Sequence, residues 1–557
     1  MVAAAVILPL VPSTCCQNLS SSSQSCSSML STGLFYRPRI HRAQFSVFSV
    51  LSSPSQVNQS ENFVEKSKKG NLVPLSQCIF SDHLTPVLAY RCLVNENDHE
   101  APSFLFESVE TGLHTANVGR YSIVGANPAM EIIAKENLVT TINHREGWKR
   151  EELSEDPLII PQRITDKWSP QCMDELPQQV FCGGWVGYFS YDTARYTDTR
   201  LTFASAPADD RNLPDVHLGL YDDVLVFDHV EKKIHAIHWV QLDKFSSIED
   251  ALDNGTKRLD SLLSKIHNIV NPRLSSGSIE LNAQRLRTQL EVSRMTSEAY
   301  KTAMLKAKEQ MLTGGDTRQV VLSQRFERRT FSDPFEVYRV LSVVEPNPFM
   351  AYIQVRGCIL VASSPHILTY VDKQGKFTNQ TLSGTQRLSE TYNEDAPLSK
   401  QFINDQKHFG EHNRVADWVN NYTKKSTQEY STCWEALRSA LPSEAFTGAP
   451  KIEAMQLIDK LELNRRGPYG GSFGCISFSK NMDIADLASK TIVFPTGKAY
   501  DTLYSYKNLN KRREWVAHLQ TGATIRVDSG HGDEQGQCER ESAAVARAID
   551  LAESSFL

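Results

Sequence analysis

VLSQRFERRTFSDPFEVYRVL, residues 321–341, holds a strand, a turn and a helix start in one stretch. Residues 320–331 read as a strand. Asp333, Pro334 and Glu336 then make a helix start: a side chain to cap free amides, a proline at the first helical position, and a carboxylate three residues after the cap. Upstream, Tyr300, Met304, Ala307 and Met311 recur at helical spacing and predict another helix. Downstream, the apolar run 353–362 is broken by Arg356 and Gly357, which predicts a hairpin. Residues 476–478, 492–494 and 515–519 read as further strands, and Val545, Ala548, Ile549, Ala552 and Phe556 mark one face of a closing helix. Strands outnumber what alternating βαβ units supply, so the expected class is α+β, with large antiparallel β-sheets covered by helices.

N-terminal to this region, residues 74–266 read as short strands and turns with some helix, including the glycine-rich stretch 183–188 and the apolar run 224–227. Asn271, Pro272, Ser275, Ser276 and Gly277 form a turn-rich connection with little to bury, taken as the boundary to a second block at 290–557. Residues 1–60 contain no Asp or Glu, are crowded with serine and hold Arg37, Arg39 and Arg42, the composition of an organelle transit peptide. A secretory signal built on residues 2–11 is the competing reading, but its positive n-region is missing.

A chain of 557 residues with 40% hydrophobic and 22% charged residues can build two or three folding units with real cores. The net charge of -6 gives no basic field for a polyanion, which argues against nucleic acid. The segment 3–11 is too short to cross a bilayer, and no longer apolar run exists. Eleven cysteines without CxxC pairs argue against a structural zinc site or a disulfide framework. There is no P-loop, no GxGxxG after a strand, no HExxH and no nucleophile elbow.

What is specific lies in longer strings. Besides 321–341 these are RGCILVASSP (356–365), GAPKIEAMQLID (448–459), RRGPYGG (465–471) and RREWVAHLQTGA (512–523). In the first block they are FESVE (106–110), VGRYSIVGA (118–126), GGWVGYFSYDTARY (183–196) and LGLYDDVLVFDHVEKKIHAIHWV (218–240). Together they resemble the anthranilate synthase large subunits, a chorismate-using family, over nearly everything after the transit-like segment.

The resemblance implies addition of ammonia to chorismate, loss of the ring hydroxyl and elimination of pyruvate, in the plastid stroma, with residues 74–266 as a regulatory, tryptophan-binding domain. It implies Mg²⁺ held by carboxylates, because a hard ion wants oxygen ligands. It also implies a separate glutaminase subunit that supplies the ammonia. Gln319 stands where relatives that add water carry a lysine, which favours ammonia as nucleophile. Gly384 and Thr385 match a substrate-contacting element, Tyr469 a substrate-contacting phenol, and Gly522 with Ala523 the start of a glycine-rich substrate loop. Glu534 matches an acidic residue near the chemistry, and Glu411 the first magnesium carboxylate. Ser108 with Pro348, Phe349 and Met350 matches the family's tryptophan pocket.

Several positions depart from the family pattern. Gln537 stands at the second magnesium carboxylate, Lys490 at a substrate arginine, Thr524 at a loop glycine, Ala445 and Thr447 at a threonine and a serine before GAPK, and His366 at a glutamate. Lysine keeps the charge of arginine but not its two-pronged grip on a carboxylate. Residues 413–434 are a short polar path in place of a longer stretch that holds a general-acid histidine in relatives. A second expectation therefore stands beside the enzyme: an impaired paralogue or misassembled product of the same fold that binds the partner or tryptophan without turnover.

Overall fold

In a computed structural model of the chain, Gln319–Thr330 is one continuous strand that gives way to a helix, Pro334–Val344. The helix starts as the sequence dictates: the Asp333 carboxylate accepts from the Phe335 amide at 2.8 Å, and Glu336 reaches back to accept from the Asp333 amide at 3.4 Å. Asp333 also holds Arg91 at 3.0 Å, and that guanidinium lies 4.3 Å from the Phe335 ring centre, which fixes the helix start against the first block.

The structure describes residues 54–108, 119–171, 173, 176–177, 180–267, 274–279, 295–313, 317–364, 367–371, 377–379, 432–497, 502–506, 509–527 and 531–556. Before the turn-rich connection the strands are β1 (Leu72–Phe80), β2 (Ser103–Ser108), β3 (Tyr121–Ala126), β4 (Met130–Lys135), β5 (Leu138–Asn143), β6 (Trp148–Leu153), β7 (Gly184–Phe189), β8 (Val216–Tyr221), β9 (Asp223–Asp228) and β10 (Lys233–Gln241). After it come β11 (Gln319–Thr330), β12 (Phe349–Val355), β13 (Cys358–Ser364), β14 (Ile367–Val371), β15 (Phe377–Asn379), β16 (Gly448–Ala449), β17 (Ser472–Ser477), β18 (Met482–Asp486), β19 (Thr491–Pro495), β20 (Thr502–Tyr506) and β21 (Leu509–Ile525). The helices are α1 (Pro54–Ser67), α2 (Pro86–Leu93), α3 (Ile159–Thr165), α4 (Ile248–His267), α5 (Ser297–Leu312), α6 (Pro334–Val344), α7 (Cys433–Ala440), α8 (Lys451–Leu461) and α9 (His531–Phe556).

Two antiparallel sheets organise these strands. One runs β1-β10-β9-β3-β2-β12-β13-β19-β21-β11-β16, with β20 on β21; the other runs β15-β14-β18-β17-β7-β8-β4-β5-β6. Each sheet takes strands from both sides of the turn-rich connection. The joins are β2 on β12, with Phe349 opposite Ser108, and β7 on β17, with Ser472 opposite Phe189. The β12–β13 hairpin turns at Arg356 and Gly357, where Gly357 has φ +91°, a backbone state that favours glycine.

The predicted helix faces are buried as expected. Tyr300, Met304, Ala307 and Met311 of α5 share a core with Val320 and Leu322 of β11, Met455 and Ile458 of α8, and Ala523 and Ile525 of β21. Val545, Ala548, Ile549 and Ala552 of α9 are buried over β21 and α6. The strand expected at 515–519 runs much further, over Leu509–Ile525, because β11 pairs with it from Trp515 to Ile525 and β20 pairs with its earlier part, from Leu509 to Glu514. Among the described residues the seven cysteines form no disulfide, and no helix is long and apolar enough to cross a membrane.

One carboxylate links the two sheets. Glu131 on β4 is fully buried and accepts from Arg356 in the β12–β13 turn at 2.7 and 2.9 Å, with His144 at 2.5 Å and His217 at 3.3 Å. Burial alone pushes this carboxyl up, but His217 and Arg356 outweigh it and hold it at about 2, against an ordinary 4.5. A carboxyl lowered on folding stabilises the fold above its unfolded pKa and loses that contribution as pH falls through its folded pKa. Glu131→Gln is therefore expected to cost on the order of 2–3 kcal/mol at pH 7, a deficit that shrinks between pH 5 and pH 2. Urea denaturation across that range checks it, and a deficit independent of pH contradicts it.

Candidate active site

The site is built on the pairing of β11 with β21, which sets Ser323 opposite Gly522 and Leu322 opposite Ala523. Gly522 has a specific reason to lack a side chain. A Cβ there would lie 2.5 Å from the Tyr469 hydroxyl oxygen and 3.1 Å from the Leu322 carbonyl, so the phenol rests directly on the strand. Tyr469 stands edge-on to Phe446, ring centres 5.7 Å apart, in a tight turn whose Gly470 has φ +76°. Burial pushes its hydroxyl far above the ordinary phenol range, and the nearby Arg466 charge only partly offsets this, so Tyr469 is a neutral hydrogen-bonding group rather than a base.

Beneath the phenol lies a buried ion pair that the sequence reading does not single out. Arg466 is 1% exposed; its Nε and Nη2 donate to Glu462 at 2.9 and 2.6 Å, Nη2 also donates to the Val321 carbonyl at 2.6 Å, and Nη1 donates to the Phe446 carbonyl at 2.5 Å. Glu462 in turn accepts from the Ser323 amide at 2.7 Å and its hydroxyl at 3.0 Å, and Gln520 donates to that hydroxyl at 2.8 Å. The 462–471 segment is thus bolted to β11 and β21 and carries Tyr469 with it. The only advance signal is the i, i+4 spacing of Glu462 and Arg466. A small cleft with room for about 30 Å³ opens beside this network, lined by Ser323, Arg325, Glu462, Arg465 and Gln520 among others.

The start of α9 packs on β21, the strand that carries Gly522. Thr521 donates to the Cys538 carbonyl at 3.1 Å, which seats the helix against the residue preceding Gly522. Glu534, one turn before Cys538, is buried at 6% exposure, and its charge acts on the Cys538 thiol, which burial pushes up to about 11. Gln537 is half-buried, and its amide donates to Glu541 at 3.0 Å. Gln319 opens β11 opposite Ala449 and is half-buried. Thr447 is fully buried and its carbonyl accepts from the Val321 amide at 2.9 Å.

The structure thus rests Tyr469 on Gly522, while α9, which carries Glu534 and Gln537 at its start, is seated on the same strand through Thr521, and Gln319 opens the neighbouring strand. Gly384, Thr385, Glu411 and His366 lie outside the described residues, as does the 413–431 path. Lys490 precedes β19, whose Ile492 pairs with Leu519, so it lies at the strand end toward which β21 runs to Gly522; its ammonium donates to Glu345 at 2.6 Å. Ser108 and Phe349 face each other across β2 and β12; Pro348 and Met350 are buried. Among the described residues no group of three or more His, Cys, Asp or Glu side chains could hold a metal ion. Glu534 and the neutral Gln537 do not by themselves make a site for Mg²⁺.

Residues 102–431 and 425–535 match the chorismate binding enzyme family, in two segments that meet inside the shortened path. The chain is 54% identical over 530 residues to anthranilate synthase alpha subunit 2, chloroplastic, of Arabidopsis thaliana, covering 90% of this chain and 85% of that protein. It is 50% identical over 581 residues to alpha subunit 1, chloroplastic, of the same plant, covering 98% and 97%. In fold it is similar to anthranilate synthase component I of Streptococcus pneumoniae TIGR4, with a TM-score of 0.60 and 23% identity over 84% of this chain and 99% of the other.

Proposed function

Because the chain belongs to the chorismate binding enzyme family, and to its plant anthranilate synthase branch by identity over nearly its whole length, we infer that it is the large subunit of a chloroplast anthranilate synthase. It is an enzyme that converts chorismate and ammonia to anthranilate and pyruvate, with water as the third product, in the first step of tryptophan biosynthesis. The observation that supports this reading on the structure is the packing of Tyr469 directly on Gly522, on a strand to which the start of α9 is tied through Thr521.

In this reading Gly522 and Ala523 let the substrate approach the main chain, and Tyr469 donates a hydrogen bond to it. Gly384 and Thr385 receive one carboxylate and Lys490 the other, while Gln319 leaves the nucleophile position free for ammonia and Glu534 handles a proton near the leaving groups. Ammonia comes from a glutaminase partner. Residues 74–266, with Ser108, Pro348, Phe349 and Met350, form the tryptophan-responsive part, residues 290–557 the chorismate part, and residues 1–60 a transit peptide. Apolar walls with a few fixed polar groups suit an indole.

Mg²⁺ would be met here by Glu411 and Gln537, and it would neutralise a substrate carboxylate. Gln537 brings no charge, so Gln537→Glu is expected to tighten Mg²⁺ binding about tenfold or more, because affinity of oxygen sites follows ligand charge. Titration calorimetry with MgCl₂ reads this directly; unchanged affinity removes Gln537 from the site. The same substitution is not expected to bring full turnover, because the 413–434 path lacks the family's general-acid stretch.

The test of function is a steady-state assay of the chain with chorismate, Mg²⁺ and ammonium, which bypasses the glutaminase. Anthranilate fluorescence is the expected result. Tryptophan binding without any product assigns the chain to a same-fold module, and isochorismate as product overturns the role given to Gln319.

A further inference from the structure

We propose that Glu345 is an intramolecular competitor for Lys490: its carboxylate occupies the ammonium that a substrate carboxylate must reach, and the 345–350 segment thereby couples the indole pocket to the substrate site. This rests on the reading of Lys490 and of the Ser108–Phe349 region given above.

Three observations carry it. First, the Lys490 ammonium donates to a Glu345 carboxylate oxygen at 2.6 Å, with the two side chains 43% and 30% exposed. Such a pair is screened by water and weak, so a competing carboxylate displaces it at small cost. Second, Ser363 ties the segments together: its hydroxyl donates to the Glu345 carbonyl at 2.8 Å and accepts from the Asn347 amide at 2.6 Å, and its amide donates to the Lys490 carbonyl at 3.2 Å. Third, Glu345 ends α6 and is followed by Pro346, Asn347, Pro348 and Phe349, so two prolines stiffen the four-residue path from the competing carboxylate to the residue opposite Ser108.

A ligand that packs on Phe349 and Met350 orders this segment and holds Glu345 on Lys490. A carboxylate ligand on Lys490 pushes Glu345 away and loosens the segment. The two ligands oppose each other, and linkage requires the effect to be reciprocal.

Titration calorimetry of the full chain with chorismate, with Mg²⁺ present and ammonium absent so that nothing turns over, tests this with and without saturating L-tryptophan. Glu345→Gln is expected to tighten chorismate binding about two- to fivefold, the scale of an exposed ion pair, and to shrink the tryptophan-induced weakening by the same factor. Glu345→Asp, whose shorter carboxylate reaches Lys490 less well, should fall between. Unchanged or weaker chorismate binding in Glu345→Gln, with both ligands bound by the parent chain, overturns the proposal and leaves the assigned function standing. A parent chain that binds neither ligand overturns that function and the proposal with it.

Discussion

Arg466→Leu is expected to lower the unfolding free energy by about 3–5 kcal/mol, the scale for removing one partner of a buried ion pair. The guanidinium is enclosed and satisfies Glu462 and the carbonyls of Val321 and Phe446 at once. Without it the Glu462 charge stays buried, with Ser323 its remaining donor among the described residues, and two carbonyls lose a donor. The double variant with Glu462→Leu should recover part of the loss, because the stranded charge is gone while the Ser323 amide remains unmet. Urea denaturation followed by far-UV circular dichroism checks both variants. A parental midpoint for Arg466→Leu would show that the pair is not what fastens the 462–471 segment.

Gly522→Ala should leave the chain folded but cut kcat/KM for chorismate by about 10²-fold, the penalty for misplacing a site group by an ångström or so. The new Cβ would stand 2.5 Å from the Tyr469 hydroxyl oxygen, so the phenol must move off the strand. The strain should cost about 1–3 kcal/mol of stability. Adding Tyr469→Phe removes the clashing atom: stability should return while turnover does not, since the hydrogen-bonding hydroxyl is gone. If Gly522→Ala keeps both stability and turnover, the close packing of Tyr469 on β21 plays no part in the reaction.

How far each feature could be read from the residues depended on the span of its interactions. The capping box at Asp333 and Glu336, the hairpin at Arg356 and Gly357, and the buried stripes of α5 and α9 arise from neighbours a few positions apart, and all were legible. The pairing of Ser108 with Phe349, 241 positions away, follows from sheet order and leaves no local mark. Arg466 shows the limit more sharply. Its spacing to Glu462 is visible, but its bond to the Val321 carbonyl spans 145 residues, and such long-range bonds turn an ordinary surface pair into a buried fastener. Lys490 was legible as a cation in the right string; that Glu345 holds it was not, because the two meet only through strand register. Tyr469, Gly522 and Glu534 are singled out by long matched strings rather than by any physical pattern, since a turn tyrosine, a strand glycine and a helix carboxylate are common alone.

Because both sheets are stitched from early and late strands, a nascent chain leaving the ribosome cannot finish either one until most of it has been made. Until then β2 waits for β12, and β7 waits for β17, with their backbone donors and acceptors exposed to any passing strand. Such late, long-range closure folds slowly and keeps aggregation-prone intermediates in play. Chaperone assistance is therefore expected during synthesis, and again wherever the polypeptide is threaded through a membrane pore and folded anew.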